Sequence, residues 1–477
     1  MGSYYENPSK VLDACTARDK GEPRLHGSIE HIVGEICQGN WSKRNASITM
    51  EPITGGISNI LYLVTLNPNA IESIAEEKVV VRLFGLGTEK FTDRAVENAI
   101  FAALSKKGQA PKFLGLFSDG RIEGHLDARP LEPDEFVDET IYPKLARAVA
   151  DMHALPLHYD IDQMDNKFCW QKISVFFSLA KQVGEFSFVK DPIKAAKFDD
   201  LNLPKMKKTF LAFQDFVLKK AKESRENFVR LNEHVTFDSS SNLSSDELDS
   251  RASEETDPDG GVRRGGKRRK IIGEGKCKHR EDLMRALGSE LAYQSVFCHN
   301  DLLSGNCLYQ LNKSISPDRN PGDITIIDYE YGGYNFRAFD IANHFNEYAG
   351  FDFGKIPEKF PKRDARHKFI CEYLNHTLNL DNFHDVNGTI LPKDAYQKLA
   401  DVYGLDIGGS HEDQRLIIES FDEVVLIFTL LSHLLWGSWS SCQAGMSSID
   451  FDFLEYAKLR FEFFHYHKNL FKIEFES

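Results

Sequence analysis

The segment His299-Asn300-Asp301-Leu302-Leu303-Ser304-Gly305-Asn306, followed about twenty residues later by Ile326-Ile327-Asp328-Tyr329-Glu330-Tyr331, carries the residue types that phosphoryl transfer from a magnesium nucleotide requires. Asp301 can accept a hydroxyl proton. The amide oxygen of Asn306 and the carboxylate of Asp328 are hard oxygen ligands suited to Mg²⁺, with ATP as the phosphoryl donor. Taken singly these pieces say little, since a strand ending in Ile-Ile-Asp is by default a buried strand meeting a solvated turn.

Order and spacing change that reading. An HxD triplet with an Asn five residues on, then a metal-binding Asp at the end of a later strand, is the plan of a protein-kinase catalytic loop. Protein kinases, however, place Phe-Gly after the metal aspartate and carry a later Ala-Pro-Glu, and this chain has neither. Asp328 runs instead into Phe339-Asp340-Ile341-Ala342-Asn343-His344-Phe345-Asn346-Glu347. Together with Leu434-Leu435-Trp436-Gly437-Ser438-Trp439 and Ile449 to Tyr456, this stretch resembles the choline/ethanolamine kinase family. The likeness covers roughly residues 50–470 and is strongest over 296–350 and 430–465. Two leucines after His-Asn-Asp, and Asn-His-Phe-Asn-Glu-aromatic-Ala-Gly, are similar to the ethanolamine branch; choline kinases more often carry Gln and an acidic residue in the first loop.

The resemblance implies an α+β, two-lobed kinase-like fold: a small nucleotide-binding lobe, 1–126, with an antiparallel five-stranded sheet, and a large, mainly helical lobe, 127–477. It implies a cytoplasmic enzyme of phospholipid synthesis that makes phosphoethanolamine, the first step of the CDP-ethanolamine route, and one that is often a homodimer. Choline or dual activity is the alternative within the family. An aminoglycoside or other small-molecule phosphotransferase shares the HxDxxxxN plan but does not predict the Asn-His-Phe-Asn-Glu and Trp-Gly-Ser-Trp segments. A non-enzymatic kinase-like binding protein would be favoured if Asp301, Asn306 or Asp328 were missing, and none is.

Positioning these groups requires a nucleotide-holding sheet. Ile48 to Thr54, then Gly55-Gly56-Ile57-Ser58-Asn59, then Ile60 to Thr65 predicts strand, glycine turn and return strand. Glycines there let backbone N–H groups approach phosphate, and Ser58 and Asn59 add donors, although a Gly-Gly hairpin is also ordinary. Val79-Val80-Val81-Arg82-Leu83-Phe84 is an apolar strand with one cation, which stands where protein kinases place their phosphate-binding lysine. Glu97, on a helix with apolar spacing at Val96, Ile100, Ala103 and Leu104, is a candidate to pair with Arg82; the alternative is a solvated helix glutamate. Two further strands follow, Pro111 to Phe117 and Gly120 to Leu126. By resemblance, Glu123 to Arg129 would be the hinge at the adenine, with Leu126 and Arg129 as nucleotide contacts, although Gly124-His125 departs from the larger residues expected.

The second lobe should be helical over Tyr142 to His153, Lys167 to Val183 and Met206 to Leu231, with His153 a capping or packed residue. Trp436 and Trp439 lie at i and i+3 of an apolar helix, which alone signals core. With Tyr456 and Glu347 they suit an ammonium group, drawn by ring faces and a carboxylate, and the resemblance supports them as substrate-binding walls beside Asp301. Asp352 offers a further acceptor for a primary ammonium.

Composition sets outer bounds. With 477 residues and 42% hydrophobic content the chain can build a sizeable core, and a net charge of −14 opposes nucleic-acid binding and docking on anionic lipid. Eight cysteines without CxxC spacing read as reduced thiols, with neither a disulfide frame nor a zinc site. Met1-Gly2 lacks the Ser or Thr that myristoylation wants at the sixth position, Glu6 here, and no signal core follows. The apolar run Val424 to Trp439 is too short, and too rich in Thr429, Ser432, His433 and Ser438, for stable membrane insertion. Residues 237–280 turn polar, then acidic, then basic at Arg263 to Lys270, and are expected to form a disordered insertion. The basic run could be a localisation or lipid patch, and Ser244 and Ser245 could accept phosphate.

Overall fold

A computed structural model describes residues 22–42, 47–53, 59–67, 78–85, 93–155, 168–241, 268–311, 320–350, 352–379, 411–447 and 449–476. The glycine turn 54–58, Ser244 and Ser245 lie outside these residues. The chain forms two compact units, one of residues 1–152 with 299–332, the other of 153–298 with 333–477. By compactness, then, the segment bearing Asp301, Asn306 and Asp328 groups with the sheet and not with the helices, which differs from a division at 126/127.

Unit 1 opens with helix α1 (Glu22–Cys37) and strands β1 (Ile48–Ile53), β2 (Asn59–Leu66) and β3 (Lys78–Phe84). Helix α2 (Arg94–Lys106) precedes β4 (Phe113–Phe117) and β5 (Gly120–Gly124), and the strands pair antiparallel in the order β1-β2-β3-β5-β4. The expected five-stranded antiparallel sheet is therefore present. Strand alternation divides its faces. Val79, Val81, Leu83 and Ile122 turn to one side, where they form a core with Val64, Leu66 and Phe117 and with Ile29, Ile32 and Val33 of α1. Each such side chain, removed from water, contributes about 1.5–3 kcal/mol. The opposite face carries Arg82, Arg121 and Glu123, and α2 covers it: the Arg121 guanidinium lies 4.2 Å from the Phe101 ring centre. The tight β4–β5 turn needs Gly120, because a Cβ there would sit 2.1 Å from the Arg82 carbonyl oxygen.

Glu123, expected to open the hinge, is an interior residue of β5, so the connection shortens to His125–Asp127 before strand β6 (Ala128–Pro130). Helix α3 (Tyr142–His153) has the predicted bounds. Strands β7 (Cys307–Gln310) and β8 (Ile324–Ile326) join β6 in a three-stranded antiparallel sheet in the order β6-β7-β8. The segment that bears Asp301, Asn306 and Asp328 is strung along this small sheet.

Unit 2 is largely helical. It contains α4 (Phe168–Phe186), α5 (Pro192–Asp200), α6 (Leu203–Ser241), α7 (Arg268–Tyr293), α8 (Arg337–Asn346), α9 (Arg363–Asn379), α10 (His411–Met446) and α11 (Phe453–Leu470). A short antiparallel ribbon pairs Ser295–Cys298 with Gly333–Phe336. The expected unstructured stretch is helical at both ends, since α6 runs through 237–241 and α7 begins at 268; residues 242–267 lie outside those described. Helix α10 is the central element, with α4, α7, α8, α9 and α11 packed around it, so that residues Leu430 to Ser438 are buried on every side. A helix apolar all round belongs in a core, and among the described residues no helix is long and apolar enough to cross a membrane. Backbone approach to α11 requires Gly437, whose Cβ would fall 2.5 Å from Phe461.

His153 is packed, not capping. Its Nδ1 lies 2.7 Å from the Tyr373 hydroxyl and its Nε2 3.1 Å from Asp340 Oδ2, while Arg337 Nη1 donates to the same hydroxyl at 2.6 Å. The donors and acceptors are consistent with a neutral imidazole, and burial lowers its pKa despite Asp340. Cys298 places its sulfur near this pair, but both ring nitrogens are committed and a guanidinium stands close by, so the trio is a core hydrogen-bond network. The six cysteines whose side chains are described are all free thiols.

Candidate active site

In unit 1 the loop that carries Asp301 is held by hydrogen bonds from its own conspicuous residues. His299 is fully buried, with Nε2 2.8 Å from the Ile327 carbonyl and Nδ1 accepting the Asp301 N–H at 3.2 Å, an arrangement that selects the Nε2–H tautomer. Asn300 adopts φ 66° and donates to the Tyr331 carbonyl at 2.8 Å. Asp328 is also left-handed, at φ 65° and ψ 62°. Asn and Asp tolerate this region best among side chains with a Cβ, and such backbone cost persists where the surroundings over-determine it. Two strained turns thus bracket the loop and present Asp301 and Asp328.

Asn306, at the end of a short 3-10 turn, donates Nδ2 to the Asp301 carbonyl at 2.9 Å and lies 3.4 Å from Asp301 Oδ2. Its backbone oxygen accepts the Ile327 N–H at 2.9 Å, which locks the loop to the segment that ends in Asp328. With Nδ2 spent on Asp301, the amide oxygen is the end left for a cation. Asp328 accepts Arg82 Nη1 on Oδ1 at 3.0 Å, leaving Oδ2. This pair of hard oxygens fits a magnesium ion.

Arg82 is buried and held by two carboxylates. Its Nε donates to Glu123 Oε1 at 2.8 Å, and the same oxygen accepts Arg121 Nε at 2.7 Å. Burial alone would lower the Arg82 pKa, but Asp328, Glu123 and Glu97 together raise it. Burial alone would raise the Glu123 carboxyl, and the two guanidiniums hold it below its ordinary range. Arg82 and Arg121 face each other in the β3–β5 register, a like-charge juxtaposition that Glu123 resolves.

The expected direct pairing of Glu97 with Arg82 is not the one formed. Glu97 is buried and bonds Arg121 at 2.7 Å and Arg94 at 2.5 Å; it acts on Arg82 only at a distance. The reason is geometric: Glu123 lies on the same sheet face as Arg82, one strand away. Arg129, expected at the nucleotide, is bidentate on Glu135 at 2.7 and 2.6 Å and lies over the Tyr309 ring. Leu126 is half-buried, and its carbonyl accepts the Ala128 N–H. Asn59 is buried at the start of β2; Gly55, Gly56, Ile57 and Ser58 are among the undescribed residues.

Unit 2 gathers the acceptor candidates. Trp436 and Trp439 of α10 meet edge to face at 5.6 Å, Trp439 contacts Phe453 at 5.8 Å, and Phe451 stands 5.8 Å from Tyr456. Trp436 Nε1 donates to Asn343 Oδ1 at 2.7 Å. Glu347, buried just beyond α8, accepts Arg460 Nη1 at 3.2 Å. Burial raises the Glu347 carboxyl pKa, and Arg460 opposes the rise. Asp352 is exposed and paired with Lys355, so it is no part of this cluster.

A model of the choline/ethanolamine kinase family matches residues 50–240 and 263–465. The chain belongs to the choline/ethanolamine kinase family. Among relatives, it is 26% identical over 461 residues to probable ethanolamine kinase A of Dictyostelium discoideum, covering 97% of this chain and 95% of that one. It is 26% identical over 440 residues to choline/ethanolamine kinase of Rattus norvegicus, covering 90% and 83%. Among solved structures, Plasmodium vivax ethanolamine kinase matches with a TM-score of 0.55 at 20% identity, covering 96% of this chain and 95% of that one. Choline kinase from Cryptosporidium parvum matches with a TM-score of 0.55 at 23% identity, covering 93% and 95%. These structural likenesses establish the kinase-like fold.

As a choline/ethanolamine kinase family member the chain is an ATP-dependent phosphotransferase, and three buried residues in its two clusters were not singled out from sequence. Glu123 and Arg121 were readable in principle, since Arg121-Ile122-Glu123 alternates charge and apolar like a strand with a charged inner face. Arg460 lies four residues beyond Tyr456, on the same helix face, which is the signal that would have found it.

Proposed function

We propose that this family kinase transfers the γ-phosphoryl group of ATP to the hydroxyl of ethanolamine, giving phosphoethanolamine. The observation that carries the chemistry is that unit 1 holds two hydrogen-bonded pairs, Asn306 on Asp301 and Arg82 on Asp328, tied by the Ile327 N–H to the Asn306 carbonyl. Asp301 accepts the proton of the acceptor hydroxyl as its oxygen attacks phosphorus. Asn306 both orients that carboxylate and, with Asp328, supplies the oxygens for Mg²⁺, which when bound neutralises charge on the phosphates. Arg82, fixed by Glu123, offers its guanidinium to phosphate oxygens, with the 55–59 turn as a further donor. Glu97 takes part through Arg121.

For the acceptor, Glu347 and the faces of Trp436, Trp439 and Tyr456 suit an ammonium head. Relatives named ethanolamine kinase, together with the two leucines after Asp301, favour the primary amine. The number of aromatic rings in the cluster is what favours choline, so choline is the second reading. The setting this reading implies is phosphatidylethanolamine synthesis in the cytoplasm by a homodimeric enzyme.

The test is ADP release by the purified protein with ATP and Mg²⁺ against each amine. A higher kcat/KM for ethanolamine is expected. A higher value for choline would replace the acceptor, and release with neither would remove the proposal.

A further inference from the structure

Arg460 occupies an unusual position for a guanidinium: fully buried in α11, on a helix whose other inward residues are mostly apolar, Phe461, Phe464 and Ala457 among them. Withdrawing such a charge from water costs several kcal/mol unless partners compensate, and an apolar residue would fill the volume without that cost. Its partners are few and specific. Nη1 donates to Glu347 Oε1 at 3.2 Å, Nη2 donates to Ser432 Oγ at 2.9 Å, and the guanidinium carbon lies 5.6 Å from the Tyr456 ring centre. Ser432 Oγ in turn donates to Asn343 Oδ1 at 2.8 Å, the same oxygen that accepts Trp436 Nε1. A single hydrogen-bonded chain therefore runs from Glu347 through Arg460, Ser432 and Asn343 to Trp436.

We infer that Arg460 is a positioning residue for the acceptor amine, fixing the Glu347 carboxylate in place and, through Ser432 and Asn343, the plane of the Trp436 ring. The inference rests on the acceptor role proposed above for Glu347. It deepens that role by requiring an ion pair where a lone carboxylate would otherwise serve. A carboxyl as buried as Glu347 is pushed towards its neutral form, which cannot hold an ammonium ion; a fixed cation on one oxygen opposes that push and leaves the other oxygen for the substrate.

The charged groups around Glu347 leave this task to Arg460. Glu358 and Lys359, on the short helix Ile356–Lys359 packed against this turn, are exposed, as are Glu455 and Lys458 of α11. His344 of α8 packs on the Phe345, Tyr348 and Phe369 rings. His433 of α10 and His467 of α11 share a hydrogen bond with each other, and burial, with Arg460 adding to it, keeps both neutral.

The experiment compares wild type, Arg460→Met and Arg460→Lys for kcat and for the KM of ethanolamine and of ATP from pH 6 to 8.5. Arg460→Met should raise the ethanolamine KM at least about tenfold at pH 7, with the KM falling again as pH rises and Glu347 ionises, and with the ATP KM within about twofold of wild type. Arg460→Lys should restore the wild-type pH profile. Were Arg460→Met not to fold, Glu347→Gln and Ser432→Ala serve: the first should raise the ethanolamine KM and make it independent of pH, and the second should raise it without changing its pH profile. An Arg460→Met profile parallel to wild type, or equal changes in both KM values, overturns the inference alone. Wild type that turns over neither ethanolamine nor choline overturns the acceptor role of Glu347 and the inference with it.

Discussion

Replacing Glu123 by Gln probes the ion-pair cluster that holds Arg82. Glu123 Oε1 accepts two charge-assisted hydrogen bonds, from Arg82 at 2.8 Å and Arg121 at 2.7 Å. Bonds of this kind contribute about 1.5–3 kcal/mol each, and an amide oxygen can keep a weaker version of one. The full 3–5 kcal/mol cost of a broken buried pair is not reached, because Arg82 retains Asp328 and Arg121 retains Glu97 and Asn98. A loss of about 2–3 kcal/mol is expected, which for a unit of this size lowers Tm by roughly 4–12 °C. Arg82 would then lean on Asp328 alone, and about 1–2 kcal/mol less nucleotide binding would raise the ATP KM by roughly 5- to 30-fold. The assay is thermal unfolding together with steady-state kinetics in ATP, beside Glu97→Gln. That second variant should also lower Tm, since Arg121 and Arg94 lose a partner, but should leave the ATP KM within about threefold of wild type. A larger ATP effect in Glu97→Gln than in Glu123→Gln would refute the assignment of Glu123 as the partner that positions Arg82.

Three other outcomes are expected. Asp301→Ala should reduce kcat by about 10²- to 10⁴-fold while nucleotide titration shows binding close to wild type; turnover retained would remove Asp301 as the base. Asp328→Ala should abolish the Mg²⁺ dependence of nucleotide affinity, measured calorimetrically with the metal and with chelator, and an unchanged dependence would put the metal elsewhere. His433 and His467 are held neutral by burial, His467 down to about 3, whereas unfolded histidine titrates near 6.5. The unfolded chain thus binds more protons below pH 6.5, so stability present above that pH should fall as pH drops, by up to about 1.4 kcal/mol per pH unit for each histidine. His467→Phe, which keeps the stacking on Phe471, should flatten the pH 4–6 dependence of the urea midpoint; an unchanged slope would contradict it.

What the sequence made legible follows the range over which its signals act. The grouping of Asp301, Asn306 and Asp328, the proposed catalytic trio, was readable because the first two sit on one loop and the third lies just past one strand, so spacing alone constrains them. The five strands were readable from apolar runs between turns, and α3 from a heptad-like stripe. The partner of Arg82 was not, because it is chosen by strand register: Val80 faces Glu123 and Arg82 faces Arg121 only once β3 and β5 pair, and that pairing skips β4 in sequence. The helix glutamate that sequence analogy favoured is instead taken by Arg121 and Arg94. The pairing of Arg129 with Glu135, six residues on, was not legible either, because it forms only once the chain folds back there. Arg460 was passed over for a different reason, since a charged helix residue reads by default as solvated surface; its spacing from Tyr456 was the one hint, and its burial makes the role plain.

The most direct test of the central claim is the phosphorus NMR spectrum of the purified protein with ATP, Mg²⁺ and equal ethanolamine and choline. The account predicts a phosphoethanolamine resonance growing as the γ-phosphate signal of ATP is lost, dominant over phosphocholine, and no such growth with Asp301→Ala on the same time scale. Loss of γ-phosphate to inorganic phosphate alone, or phosphoethanolamine formed at the wild-type rate by Asp301→Ala, would contradict it.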